Sequence, residues 1–172
     1  MKLDNAIKTA LEYEAGVHKA YLEAMGKTSE ETGKRIFKAL ADEEMGHIKY
    51  LQERLNEWQT TGKIHVKKLG TSVPTREAID KSLLDVRKTV KPPKHTKLIP
   101  ELELLKKALE AERKVSLFYK EMVAKLDGEG QQLFQRFVEI EEGHEAIVEA
   151  EIDSVSGSGM WLGNLEFGLE VG

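Results

Sequence analysis

The strongest constraint in this chain is a repeat of ligand-type residues. Glu14 is followed by Glu44-Met45-Gly46-His47, and Glu112 by Glu141-Glu142-Gly143-His144. Ala10-Leu11-Glu12-Tyr13-Glu14 and Tyr21 align with Ala108-Leu109-Glu110-Ala111-Glu112 and Tyr119 at an offset of 98, and Phe37, Glu44, Gly46 and His47 align with Phe134, Glu141, Gly143 and His144 at an offset of 97. The one-residue difference is absorbed by a hairpin loop. An internal duplication with a two-fold pseudo-axis between the halves accounts for both offsets, and it makes the two ligand sets face each other.

Each half reads as a pair of helices. Ile7, Ala10, Val17, Tyr21 and Ala24 recur at helical spacing, with Leu11 and Met25 on the flank, and predict a first helix from about Leu3 to Met25. After Gly26-Lys27, Thr28-x-x-Glu31 has the form of a capping box. It opens a second stripe, Ile36 or Phe37, Leu40, Leu51 and Leu55, ending near Trp58. Pro100 sits where a first helical turn tolerates it, ahead of Leu102, Leu105, Ala108, Leu109, Val115, Tyr119 and Met122. That helix stops at Asp127-Gly128. The last stripe starts after Gly130, reads Leu133 or Phe134, Phe137, Ile147 or Val148 and Ile152, and is ended by the Ser/Gly run from Ser154 to Gly159. The short loops make each pair an antiparallel hairpin.

The expected fold class is therefore all-α. A four-helix bundle is formed by the hairpins 3–59 and 100–153, joined by a long crossover, 60–99, between helices 2 and 3, with a glycine-rich tail, 154–172. The crossover holds a short extra helix from Pro74 or Thr75 to about Val90, then Lys91-Pro92-Pro93-Lys94. One domain, 1–172, is expected.

Glu14 falls in step with Ala10, Val17 and Tyr21, and Glu112 with Ala108, Val115 and Tyr119, so both point along the apolar stripe. Leu40, Glu44, His47 and Leu51 share one face of the second helix, and Phe137, Glu141, His144 and Val148 one face of the last. Counting residues from the loops at 1.5 Å each puts all four carboxylates in one layer, to within roughly 4 Å in the first hairpin. An ionised carboxylate removed from water costs several kcal/mol even after relaxation, so four of them require compensating cations. Two divalent ions balance four glutamates with neutral histidines. Carboxylate and imidazole without thiolate suit iron or manganese.

One Glu-x-x-His is a weak signal. Its weight comes from conjunction: both copies lie in apolar stripes, both follow an inward glutamate seven residues before a tyrosine, and the halves match in register. Tyr21 and Tyr119 read first as core aromatics, and the other reading is that each hydrogen-bonds a ligand carboxylate and fixes its orientation. Glu12, Glu110, Asp42, Glu43, Glu139 and Glu142 read as a solvated face, and His65 and His95 as exposed. His18 is one turn after Glu14, but its counterpart is Ser116, so packing at the surface or behind the ligands is expected. Trp161 and Phe167 are expected to cover the bundle or a neighbouring subunit.

The 172 residues contain no cysteine, which excludes a thiolate-bound metal centre, a thiol nucleophile and a disulfide framework. Met1 to Asn5 has no apolar leader character, and no stretch reaches the roughly 18 to 20 apolar residues of a membrane span. A cytoplasmic protein with no membrane partner is expected. Within the net charge of -4, residues 63–97 carry ten Lys/Arg against Glu77, Asp80 and Asp85. That segment reads as a solvated basic connector, and nucleic acid is not the expected partner.

These residues, Glu14 with Tyr21, Glu44-x-x-His47, Glu112 with Tyr119 and Glu141-x-x-His144, resemble the rubrerythrin group of the ferritin-like superfamily over roughly residues 3–153. The resemblance implies a ferritin-like bundle holding two iron ions, with manganese as the alternative metal. It implies Glu44 and Glu141 as bridging carboxylates, and Glu14, His47, Glu112 and His144 as terminal ligands. The chain departs from that group in two ways. It holds no cysteine-containing electron-transfer domain, so an external donor is expected, either an unidentified reductase or a rubredoxin-like protein. Val115 stands where many rubrerythrins carry a further glutamate, leaving a symmetric six-ligand set closer to bacterioferritin's.

The expected activity is reduction of hydrogen peroxide or dioxygen in oxidative-stress protection, by a homodimer. The alternatives are a ferroxidase or iron-binding role, oxygen insertion into an organic or tRNA substrate, a manganese catalase-like centre, and a purely structural bundle.

Overall fold

The structure is a computed structural model that describes residues 1–89 and 99–162. Five helices and no strand occur among these residues: α1 Leu3–Lys27, α2 Glu31–Thr61, α3 Arg76–Thr89, α4 Ile99–Lys125 and α5 Gly128–Ser158. The crossover beyond Thr89 with its Lys91-Pro92-Pro93-Lys94, His95, and the tail with Phe167 lie outside the described residues.

The apolar stripes become the core of a four-helix bundle. Ile7, Ala10, Tyr21, Ile36, Phe37, Leu40 and Leu51 of the first hairpin are buried together with Leu105, Val115, Tyr119, Leu133, Phe134, Phe137, Ile147 and Val148 of the second. Helix α1 packs on α2 and α4 on α5, as the short loops dictate, and α1 lies against α4. The fifth helix, α3, packs on α5 through its apolar side, with Ile79 buried.

Four local expectations change. The Thr28-x-x-Glu31 capping box does not form: α2 begins at Glu31, its N-cap Glu30 makes no side-chain cap bond, and Thr28 Oγ1 accepts only from the Glu30 amide at 3.4 Å. The hydroxyls of Thr28 and Ser29 instead donate to Glu101 in the first turn of α4, at 3.4 and 3.2 Å. Glu101 is buried and takes these bonds because the loop between α1 and α2 meets the start of α4 there. Helix α5 begins at Gly128 rather than after Gly130, since Gly128 takes φ 52°, which lets the chain reverse in fewer residues. The Ser/Gly run does end α5, but at its far end: the helix continues to Ser158 and closes on Gly159 at φ 70°. Helix α2 likewise runs past Trp58 to Thr61, where Gly62 at φ 69° stops it.

The start of the crossover is pinned, although its lysines are exposed. Ile64, Leu69 and Val73 are buried in the bundle wall. Arg54 donates to the His65 carbonyl at 2.6 Å, Tyr50 to that of Lys67 at 2.6 Å, and Arg136 to that of Leu69 at 3.0 Å. The segment then crosses α5 at Gly143, where a Cβ would stand 2.6 Å from the Pro74 carbonyl oxygen. At the far end Trp161 covers the bundle: its ring lies edge-on to Phe37, centroids 5.4 Å apart, and over Gly33.

Candidate metal centre

Glu14 from α1, Glu44 and His47 from α2, Glu112 from α4, and Glu141 and His144 from α5 are all buried, none more than 1% exposed. The four helices therefore deliver all six predicted residues to one place at the centre of the bundle. They form two groups: Glu14, Glu44, His47 and Glu141, and then Glu44, Glu112, Glu141 and His144. In each group the side chains offer ligand atoms within 4.8 Å of one another, and Glu44 and Glu141 belong to both.

The histidines define two ends. Nδ1 of His47 lies 3.2 Å from Glu14 Oε2, 3.3 Å from Glu44 Oε2 and 3.4 Å from Glu141 Oε1. Nδ1 of His144 lies 2.7 Å from Glu44 Oε1, 3.6 Å from Glu112 Oε1 and 3.7 Å from Glu141 Oε2. Each of Glu44 and Glu141 thus turns one oxygen to each histidine, while Glu14 and Glu112 serve one end each. The two imidazoles stack with centroids 5.3 Å apart and 12° between planes.

Both tyrosines reach these carboxylates, and they do so across the hairpins. Tyr21 donates its hydroxyl to Glu112 Oε1, and Tyr119 donates to Glu14 Oε1. The exchange is reciprocal, as the duplication requires. Aromatic neighbours hold the rings: Tyr119 lies 5.0 Å from Phe137 and 5.5 Å from Phe134, and Tyr21 lies 6.2 Å from Phe37.

Protein groups alone do not satisfy this cluster. Both oxygens of Glu44 and of Glu141, Oε2 of Glu112, Nε2 of His47 and both ring nitrogens of His144 are buried without a hydrogen bond. The close approach of His144 Nδ1 to Glu44 is a convergence of two ligand atoms, not an aligned hydrogen bond. Burial first, and then the charge of Glu44, push the Glu14 carboxyl up to about 8. Burial, with the charges of Glu44 and Glu14, raises Glu141 well above the usual carboxylate range. Burial opposes charging of the imidazoles, but Glu14 and Glu44 raise His47, and Glu141 and Glu44 raise His144. The cluster gathers positive charge wherever it can. Orphaned oxygens and nitrogens with no sulfur, sharing two carboxylates between two ends, are compatible with a di-iron site.

A sequence model described as the ferritin-like domain matches residues 32–157, from the first turn of α2 almost to the end of α5. The chain belongs to the ferritin-like domain family. No curated protein and no solved structure gives a significant match. Helix α1 lies outside the matched range, so the places of Glu14 and Tyr21 in this ferritin-like bundle rest on geometry. No described helix is long and apolar enough to cross a membrane.

Among the flanking residues, Glu12, Asp42, Glu110 and Glu139 are exposed, His65 is exposed beside Glu57, and half-buried His18 stays outside both groups. Half-buried Glu142 pairs with Lys120 at 3.3 Å. Glu43 is the exception. Its carboxylate is half-buried, accepts bonds from Thr71 and Ser72, and lies within 4.8 Å of ring nitrogens of His47 and His144. Its position four residues before His47 was the signal for this, since that spacing puts it beside the inward face.

Proposed function

We propose that this protein is a rubrerythrin-like, non-haem di-iron oxidoreductase that reduces hydrogen peroxide or dioxygen and protects the cell from oxidants. The observation that carries the reading is the sharing of Glu44 and Glu141 between two histidine-centred groups. In it, Glu14 and His47 would hold one ion and Glu112 and His144 the other, with Glu44 and Glu141 available to both. Two iron ions bound there would supply the pair of electrons that reduces peroxide to water.

The chain's own residues prepare this chemistry. Tyr119 and Tyr21 fix Glu14 and Glu112 by their hydroxyls, and each keeps a proton at a carboxylate oxygen next to the reacting region. Val115, buried one turn after Glu112, makes the nearby wall apolar and excludes water. The sequence holds no thiolate, so the electrons come from a separate donor, an unidentified reductase or a rubredoxin-like protein. The reading places the protein in the cytoplasm as a homodimer, without nucleic acid.

Stopped-flow oxidation of the Fe(II)-loaded protein tests this. Peroxide should oxidise it far faster than a Glu44→Ala variant, and equal rates refute the activity. Val115 also favours a second reading, ferroxidase and iron binding, because it leaves the symmetric six-ligand set. Size-exclusion chromatography separates the two: a large hollow assembly supports iron storage, whereas a dimer supports the oxidoreductase.

A further inference from the structure

On the seam between α1 and α4 the surface opens into a groove of about 320 Å³. Its lining repeats the duplication: Tyr13 and Ala111, Gly16 and Lys114, and Val17 and Val115 are equivalent residues at the offset of 98. The groove therefore sits on the two-fold pseudo-axis. Tyr13 and Ala111 immediately precede Glu14 and Glu112, and Val17 and Val115 follow them by one turn, so it stands at the height of the ligands. Val17 and Val115, 2% and 1% exposed, form its floor and separate it from the carboxylates.

Two departures from the symmetry give the groove its shape. Gly16 stands where the other half has Lys114, and a Cβ built there meets nothing within 4 Å, so one wall is bare helix. Tyr13 stands where the other half has Ala111; it is 37% exposed, and its ring rests 5.1 Å from that of Phe118. The interior is thus hydrocarbon and one aromatic side. On the rim, Glu12 and Glu110 balance Lys107 and Lys114, with Lys114 bonded to Glu110 at 2.7 Å, so net charge draws in neither anion nor cation. The volume falls at the low end of the roughly 300–1,000 Å³ of small-molecule sites, far above the ~30 Å³ share of one water. Hydrogen peroxide gains nothing from such a space. A neutral molecule with an apolar body does, because it removes the bare wall, the valines and the aromatic ring from water.

We propose that this groove binds the apolar body of a neutral organic hydroperoxide, packed on Tyr13 and the bare Gly16 wall, with its O–O end turned towards Val17, Val115 and the ligands behind them. This rests on the reductase reading above and names its substrate class. The hydroperoxide takes two electrons, one from each of two iron(II) ions, and two protons; its O–O bond breaks, and an alcohol and water leave.

Gly16→Leu is the test variant, because it plugs the groove from an exposed helical position with room for a side chain, and it gains helix propensity. 2-Phenyl-2-propanol, the alcohol left by cumene hydroperoxide, is titrated into the metal-free protein and followed by methyl and ring NMR signals. The wild type should show saturable shifts at Val17, Val115 and Tyr13 in about the millimolar range, and Gly16→Leu should lose them while melting no lower. Stopped-flow oxidation of the Fe(II)-loaded proteins is the second readout. The ratio of the cumene hydroperoxide rate to the hydrogen peroxide rate should fall about 10-fold or more in Gly16→Leu. Wild-type shifts confined to other residues overturn the proposal without any variant having to fold, and so does binding that survives the plug or an unchanged ratio. Such a failure leaves fast oxidation by hydrogen peroxide in place. No oxidation of the wild type by either peroxide removes the reductase reading itself, and this substrate with it.

Discussion

Tyr21 on α1 donates its hydroxyl to Glu112 on α4, across the pseudo-axis between the hairpins. Its counterpart Tyr119 donates to Glu14 in the opposite direction. Each hairpin therefore fixes a buried carboxylate of the other, Glu112 or Glu14, and α1 lies against α4 at the level of the centre.

Removing either hydroxyl should cost nearly the same, because the two bonds are related by the duplication. Tyr21→Phe and Tyr119→Phe are each expected to destabilise the chain by about 1.5–3 kcal/mol, the range for hydrogen bonds to charged groups. Each should also weaken metal binding by roughly 10- to 100-fold, as the freed carboxylate loses its orientation. Urea unfolding and metal titration of the two variants measure both effects. A change below about 0.5 kcal/mol, the level of an ordinary surface substitution, would show that the tyrosines only fill space.

Two equivalent glycines should respond in opposite ways. A Cβ on Gly143 meets the Pro74 carbonyl oxygen at 2.6 Å and Val73 Cγ1 at 3.2 Å, and backbone cannot move aside cheaply. Gly143→Ala is expected to destabilise by about 1–3 kcal/mol. Gly46 is helical, exposed and has nothing within 4 Å of a new Cβ. Gly46→Ala should stabilise by about 0.5–1 kcal/mol through helix propensity alone. Thermal unfolding of the pair reads the difference, and equal effects would contradict the crossover's path over α5.

Stability should depend on pH in opposite directions with and without metal. Burial and the charge of Glu44 raise Glu14 from 4.5 to about 8 in the metal-free chain. A raised carboxyl contributes its full stability below the unfolded value and loses it as pH climbs through the folded one, between 4.5 and about 8 here. Glu141, His47 and His144 are raised too and carry the same sign. Glu44 is opposed by burial but lowered by His47 and its other neighbours, so its contribution is lost only in acid. The metal-free protein should therefore melt at a lower temperature at about pH 9 than at about pH 6. Metal binding should tighten over the same range, because the ions displace those protons. Melting curves in chelator across the range check the first half, and a midpoint that rises with pH would contradict it.

Much of this was legible because the centre obeys helical spacing. Glu14, Glu44, His47, Glu112, Glu141 and His144 stand at core positions of four stripes, and a charge at such a position has no explanation in a bundle without cations. The cross-hairpin direction of the tyrosine bonds was not legible, since spacing gives a side chain's face but not which opposing helix it meets. Thr28 shows the limit of local motifs: its hydroxyl donates to the buried Glu101 carboxylate and accepts from the Glu30 amide, one residue short of the helix the capping pattern assigned it to. Glu43 shows another limit. Asp42 beside it is solvated, and it is the crossover, folding back with Thr71 and Ser72, that holds its carboxylate.

The central claim is that the four buried glutamates carry their charge together only with two cations among them. Metal quantitation after anaerobic loading with Fe(II) or Mn(II), paired with thermal unfolding of the same samples, tests it most directly. Two ions per chain and a clear rise in melting temperature over the chelator-treated protein are expected. A chain that binds no metal, and melts at the same temperature with or without it, would contradict the account.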